Sequence, residues 1–370
     1  MSVECKPYLS EKEPERYKET GKEFTITNSN GTAVSVITYG ALVNKLIVPD
    51  KEGKKADIML GLKGLDEYMN NGANHGSVVG RSANRIHGAT YEINGERFYA
   101  PKNNGEDNLH GGSPSYQNVF WEGKIISGQE ADLFAKESGI KGLPEIKDEA
   151  VMLTYTSPDG ACGFPGNLDT TVVYALTDDD MLLILYKGIS DRDTIFAPTN
   201  HSYFNLGGHN SGEVLDNVLT VDADQVIHKD SNGCPDGEYM DVEGTVFDFR
   251  AGKKVGDGFD MDNDQIGPAL GLDQNFCLNG YGDGFFKGAL LEDHRSSRKM
   301  EVWTDMPGIQ LYVGNHLNGD DQKGDIQYKP YYGICLEAQM YPNAVNIPQF
   351  ESPVIKAGEA KYHACGYKFV

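Results

Sequence analysis

The feature that most constrains this chain is a repeat of short β-branched and aromatic runs, each closed by a glycine, asparagine or aspartate turn, along almost its whole length. Residues 32–49 read as a strand, a break at Gly40 and a second strand. Residues 91–99 predict a hairpin closed at Asn94-Gly95, a dipeptide that tolerates the left-handed backbone of a tight turn. Residues 170–176 and 181–189 predict a second hairpin across Asp178-Asp179-Asp180, and residues 300–304 and 309–313 a third across Pro307-Gly308. The closing residues 360–370 are again strand-like, while helical periodicity is confined to one expected turn at 65–69. The chain therefore reads as all-β, and its 44 glycines and 20 tyrosines in 370 residues suit strands and turns better than long helices.

Three segments depart from this rhythm. Residues 1–22 are charged and are expected to form a partly loose arm. Residues 125–149 are charged and mildly helical, and residues 255–270 are acidic and glycine-rich; both are expected to be surface insertions or loops. A formal net charge of -22 repels phosphate backbones and argues against nucleic acid and anionic membranes as partners. The six cysteines are scattered without a CxxC pair, which fits reduced thiols. No apolar signal core opens the chain, and no run of about 18 apolar residues follows. A cytoplasmic location is expected.

Alternation within two strands points to a binding surface. Ile309, Leu311 and Val313 face one way and Gln310 and Tyr312 the other; Glu337 and Gln339 share a face opposite Ile334 and Leu336. Polar groups converging from several strands suggest a large twisted sheet whose concave side holds a ligand. The stretch Thr199-Asn200-His201-Ser202-Tyr203-Phe204-Asn205-Leu206 sets an imidazole among amides, a hydroxyl and aromatic rings, a mixture that suits a polyol. An imidazole ordinarily titrates near neutrality, which makes His201 a candidate proton donor, and Glu337 offers a carboxylate. Facing each other across a pocket, the two could deliver a proton on one edge of a sugar ring and remove one on the other. By spacing alone, a core histidine and an unrelated glutamate are the better reading, and the neighbours Asn200, Ser202, Tyr203 and Asn205 tilt it towards a polyol site.

Other stretches add ligand candidates. In Gly80-Arg81-Ser82-Ala83-Asn84-Arg85-Ile86, Arg85 is the candidate for gripping hydroxyls, and Arg81 is expected to tie loops together. His110 precedes two glycines that permit close backbone approach, and Asp273 precedes a strand, where it suits vicinal hydroxyls or caps its own turn. Asp260, Asp262 and Asp264 mimic a calcium loop, but Gln265 and Gly271 stand where glycine and glutamate belong. No dinucleotide or Walker loop is present, and no histidine pair has zinc-like spacing, so neither a metal nor a cofactor is implied.

The motifs TYGALVNKLIVPD, GSVVGRSANRI, NLHGG, TNHSYFNLGG, GLDQNF, GIQLYVGN and GICLEAQMYPNAVN occur in this order. Together they resemble the aldose 1-epimerase, or galactose mutarotase, family from about Phe24 to the C-terminus. The resemblance implies one large antiparallel β-sandwich over residues 23–370, with few short helices. It also implies cofactor-free interconversion of the α and β anomers of free aldohexoses such as galactose and glucose. His201 becomes the expected general acid and Glu337 the general base. Asn84, Arg85, His110, Tyr203, Asp273 and Gln310 become the expected sugar contacts, in a monomer or weak homodimer. Pro235-Asp236-Gly237-Glu238, His316 and the length of 125–149 depart from the family's usual pattern and bear on substrate preference. Competing readings are a glycoside hydrolase using Asp273 and Glu337, a non-catalytic carbohydrate-binding protein, and a sugar-phosphate epimerase, which the acidic charge disfavours.

Overall fold

The computed structural model describes residues 2–70 and 72–370. Three antiparallel sheets enclose the core. An amino-terminal meander of five strands runs from Ser2–Pro7 to Lys55–Asp57. A nine-stranded sheet has Met181–Ser190, Ala360–Phe369 and Arg298–Thr304 near its centre, and a five-stranded sheet ends with Asp273–Leu278, Gly308–Tyr312 and Cys335–Gln339. All three feed one buried apolar cluster, with Val36, Tyr174, Ile184, Phe276, Leu311 and Leu336 among its members.

Several sequence expectations are met. Ala33–Ile37 and Leu42–Pro49 flank Gly40, whose φ of +65° is open to glycine at little cost. Thr90–Ile93 pairs with Glu96–Tyr99 around Asn94 and Gly95, both with positive φ. Leu168–Leu176 pairs with Met181–Ser190, and the short helix Leu65–Tyr68 supplies the single turn.

Three expectations fail. The strands around Pro307-Gly308 form no hairpin. Arg298–Thr304 already has Phe286–Asp293 on one edge and Ala360–Phe369 on the other, so no ladder position is left. Residues 305–307 carry the chain to the other sheet, where Gly308–Tyr312 inserts between Asp273–Leu278 and Cys335–Gln339. The amino-terminal arm is not loose: Ser2–Pro7 pairs along its full length with Lys22–Thr27, and the Ser10 hydroxyl donates to Asp66 at 2.6 Å. Residues 125–149 are more than a surface excursion. Ser127 and Glu130 form a capping box that starts the helix Gly128–Glu137. Ala131, Phe134 and Ala135, at i, i+3 and i+4, then pack on Val173, Leu183 and Leu185 of the nine-stranded sheet. This cover explains the unbroken apolar run of residues 181–186 in Met181–Ser190. Leu182, Ile184 and Tyr186 point into the main core, while Leu183 and Leu185 meet the helix.

Arg81 takes the structural role expected of it. It is fully buried, and its guanidinium donates to the carbonyls of Ser157, Pro158, Pro165 and Gly166 and to the hydroxyls of Ser157 and Thr194. All six thiols are free. Among the described residues, no helix is long and apolar enough to cross a membrane.

Candidate active site

A cavity of about 470 Å³ opens at the edge of the five-stranded sheet, and all eight residues singled out from the sequence line it. Strand register creates its floor. Asn275, Gln310 and Glu337 are directly opposite one another on three adjacent strands, so Gln310 and Glu337 share one face. His201 follows the short strand Thr199–Asn200, which pairs with Val78–Val79. Its backbone N–H donates to Ser77 and its carbonyl accepts from Gly76, both at 2.8 Å, so the imidazole stands on a fixed ladder. The Thr199 hydroxyl donates to the carbonyl of Ala338 at 2.7 Å and locks this segment to the strand carrying Glu337.

His201 Nε2 lies 3.8 Å from Glu337 Oε1, and both side chains are almost fully buried. The two groups share one cavity, as expected, but as close neighbours on its floor rather than facing each other from across it. The gap exceeds a hydrogen bond, and the second Glu337 oxygen is buried without a protein partner. Burial pushes His201 down to about 4, with His75 adding to the effect. Burial, and secondarily the charge of Asp273, pushes the Glu337 carboxyl well up. Both groups are thereby driven towards their neutral forms.

The other end of the cavity is treated differently. Burial alone would raise the Asp273 carboxyl, but Lys229, Arg85 and a hydrogen bond from Gln310 outweigh it and hold Asp273 below the ordinary range. The Gln310 amide donates to Asp273 Oδ1 at 2.6 Å, and Arg85 Nη1 lies 4.0 Å from Oδ2. Lys229 braces the loop by donating to the Asp273 carbonyl. Arg85 Nε also donates to the Asn104 side chain at 3.0 Å.

Asn84 and His110 brace each other in left-handed backbone conformations, φ +55° and +52°. The Asn84 N–H donates to His110 Nδ1 at 3.2 Å, and the His110 N–H donates to the Asn84 carbonyl at 2.9 Å. Burial, then the neighbouring His201 and Arg85, hold His110 neutral; with Nδ1 accepting, the proton resides on Nε2. Tyr203 lays its ring 5.0 Å from that of His201, while its hydroxyl donates to the Ala73 carbonyl at 3.0 Å.

Sequence reasoning left several participants unassigned. Cys335 Sγ sits 3.6 Å from His201 Nδ1. His75, fully buried, lies with its ring tilted 4.6 Å from that of Tyr203 and faces Asp321 at 3.1 Å. Tyr312 shares Gln310's face and lines the cavity, as alternation already indicated, whereas Asn104 and Asp321 come from loops whose sequences carry no periodic signal. Asn200, formally a glycosylation sequon, is buried and donates to Gly76, so it cannot carry a glycan in the folded chain.

The sequence profile of the family described as Aldose 1-epimerase matches residues 22–368. The chain is 34% identical over 342 residues to galactose mutarotase of Bos taurus, covering 92% of each. It is 31% identical over 348 residues to aldose 1-epimerase of Escherichia coli strain K12, covering 94% of each. The solved structure of galactose 1-epimerase from Lactobacillus acidophilus superposes with a TM-score of 0.82 at 29% identity, covering 100% of this chain and 99% of that one. A β-sandwich with a buried histidine and glutamate side by side on the floor of a polar cavity, and matches of this extent, define an isomerase of sugar anomers. The chain belongs to the aldose 1-epimerase family.

Proposed function

We propose that Glu337 and His201 open and reclose the ring of a free aldohexose, galactose or glucose, and that Asn84, Arg85, His110, Tyr203, Asp273 and Gln310 hold the sugar. The observation that carries this reading is the 3.8 Å gap between two buried proton-transfer groups. The two reacting oxygens, O1 and O5, are bonded to the same carbon, so groups that serve both at once must be near neighbours.

Glu337 takes the proton of the anomeric hydroxyl as His201 gives one to O5. The electrons of the O1–H bond form the carbonyl, those of the C1–O5 bond pass to O5, and an open-chain aldehyde results. Rotation about C1–C2 turns its other face to O5, and reclosure returns both protons. The pair needs one proton between its two members, and the neutral pair and the ion pair hold the same number. The rate therefore follows the macroscopic titration of the couple. It falls in acid when His201 gains a second proton and in alkali when Glu337 loses the only one. Arg85, Asp273 and Gln310 form a charge-balanced clamp whose part is orientation.

The hydrolase alternative needs two carboxyl groups free to flank a glycosidic bond. Asp273 is engaged by Gln310 and faces Arg85, which favours the epimerase reading. Polarimetry on fresh α-D-galactose and α-D-glucose, comparing the unaltered chain with His201→Asn and Glu337→Gln, tests the assignment. Full activity in either folded variant, or release of reducing sugar from oligosaccharides, sinks it.

A further inference from the structure

Beside the sugar clamp, but outside the cavity, four side chains of metal-binding type converge from three segments that are distant in sequence. One ligand atom from each of His87, Asp107 and Cys234 lies within 4.8 Å of the other two. His87 Nδ1 is 3.4 Å from Asp107 Oδ1 and 3.8 Å from Asp230 Oδ2. Asp107 and Cys234 are buried, Asp230 is half-buried, and His87 is exposed and closes the cluster on the solvent side. We propose that His87, Asp107, Asp230 and Cys234 form a binding site for a divalent transition metal of the zinc type. The site would staple the loops that support Arg85.

The donor set carries the argument. One imidazole, one thiol and two carboxylates are the mixed ligands that zinc accepts in four-fold coordination. His87 Nδ1 already stands 3.4 and 3.8 Å from the two carboxylates, and a slight contraction would make these two separations edges of a tetrahedron around one ion. Backbone N–H groups orient both carboxylates: Asp107 Oδ1, the oxygen that faces His87, accepts from the Gly88 N–H at 2.7 Å, and Asp230 Oδ1 accepts from the N–H groups of Asn232 and Cys234 at 2.8 and 2.9 Å. Such bonds hold ligands in place before an ion arrives. Exposed His87 gives the ion a way in.

The location has a consequence for the sugar site. A Cβ at Gly233 would meet Arg85 Cζ at 3.5 Å, so the Asp230–Cys234 loop lies directly against the guanidinium. Two carboxylates and a thiolate outweigh a divalent charge, so the occupied site would still attract Arg85.

Two other groupings of candidate ligands differ in kind. His228, Asp236 and Glu238 lie on an open hairpin and include no thiol, and His201, Cys335 and Glu337 belong to the catalytic floor. Cobalt(II) titration of the full chain separates them, because only thiolate ligation gives an intense near-ultraviolet charge-transfer band. One equivalent of cobalt should produce that band, and zinc should bleach it by competition. Cys234→Ser should abolish it, and His87→Gln, an exposed change that leaves the fold intact, should weaken binding by roughly tenfold or more. Cys335→Ser and His228→Ala should leave it unchanged. Absence of the band, its persistence in Cys234→Ser, or its loss in Cys335→Ser overturns the assignment. Absence of the band with an unchanged polarimetric rate overturns the metal site alone and leaves the epimerase reading standing.

Discussion

The sugar cavity desolvates two carboxyl groups, fully buried Glu337 and partly exposed Asp273, and drives them in opposite directions. Glu337 sits on the floor beside an uncharged imidazole with one oxygen unpartnered, and its carboxyl is pushed up. Asp273, at the other end, faces Arg85 and Lys229, accepts from Gln310, and is held down. Burial alone does not decide protonation; the presence of a compensating cation does. The contrast separates the tasks. On the proposed mechanism, the group that exchanges protons is left electrically bare, and the group that stays an acceptor is neutralised by neighbours.

The sharpest way to break the contrast is at its bare end. Glu337→Gln and His201→Asn are expected to lower the catalytic rate by roughly 10²–10⁴-fold with the thermal midpoint nearly unchanged, as read by polarimetry and circular dichroism. Next, Asp273→Asn leaves Arg85 without its carboxylate. A tenfold to hundredfold rise in KM is expected, from the roughly 1.5–3 kcal/mol of a charged hydrogen bond, with a smaller change in kcat.

The same variant has a second, finer signature in the pH–rate profile. The unaltered chain should show a bell. Its acid limb lies near pH 4, where His201 gains a proton, and its alkaline limb is well above an ordinary carboxyl titration, where Glu337 loses one. Asp273's negative charge raises both groups. Removing it should move both limbs towards acid, and limbs that stay put would mean that the two ends are electrostatically independent. The smallest effect is expected from Cys335→Ala. Its thiol is a weak partner of His201 Nδ1 at 3.6 Å, so a rate loss of only a few-fold should follow if burial sets the imidazole's basicity. A large loss would assign that work to the sulfur.

The site was unusually legible because its residues sit in ordered local patterns. Alternation in residues 309–313 put Gln310 and Tyr312 on one face, and the structure places both in the cavity. The setting of His201 among Asn200, Tyr203 and Asn205 marked a polar pocket, although the closeness of His201 and Glu337 on the floor depends on strand pairing that neither segment encodes. The false hairpin at Pro307-Gly308 has the same origin: local turn chemistry cannot reveal that both edges of Arg298–Thr304 are already taken. Ser2–Pro7 escaped notice because its side chains are mostly exposed, so it is held by backbone pairing and shows no apolar stripe. In 125–149 the Ala131, Phe134 and Ala135 spacing was present, but surrounding charge obscured it. Cys234 and Asp107 drew no attention because ligand sets gathered from distant loops have no spacing to read.

The helix Gly128–Glu137 covers one face of Met181–Ser190, and this bears on the chain's life before it is fully folded. Until that helix docks, Leu183, Leu185 and Val173 form a sticky β-rich stripe of the sort that recruits sister molecules into aggregates. A chain shortened through 127–147 should retain the residues of its sugar cavity yet precipitate during expression, and light scattering on refolding would register it.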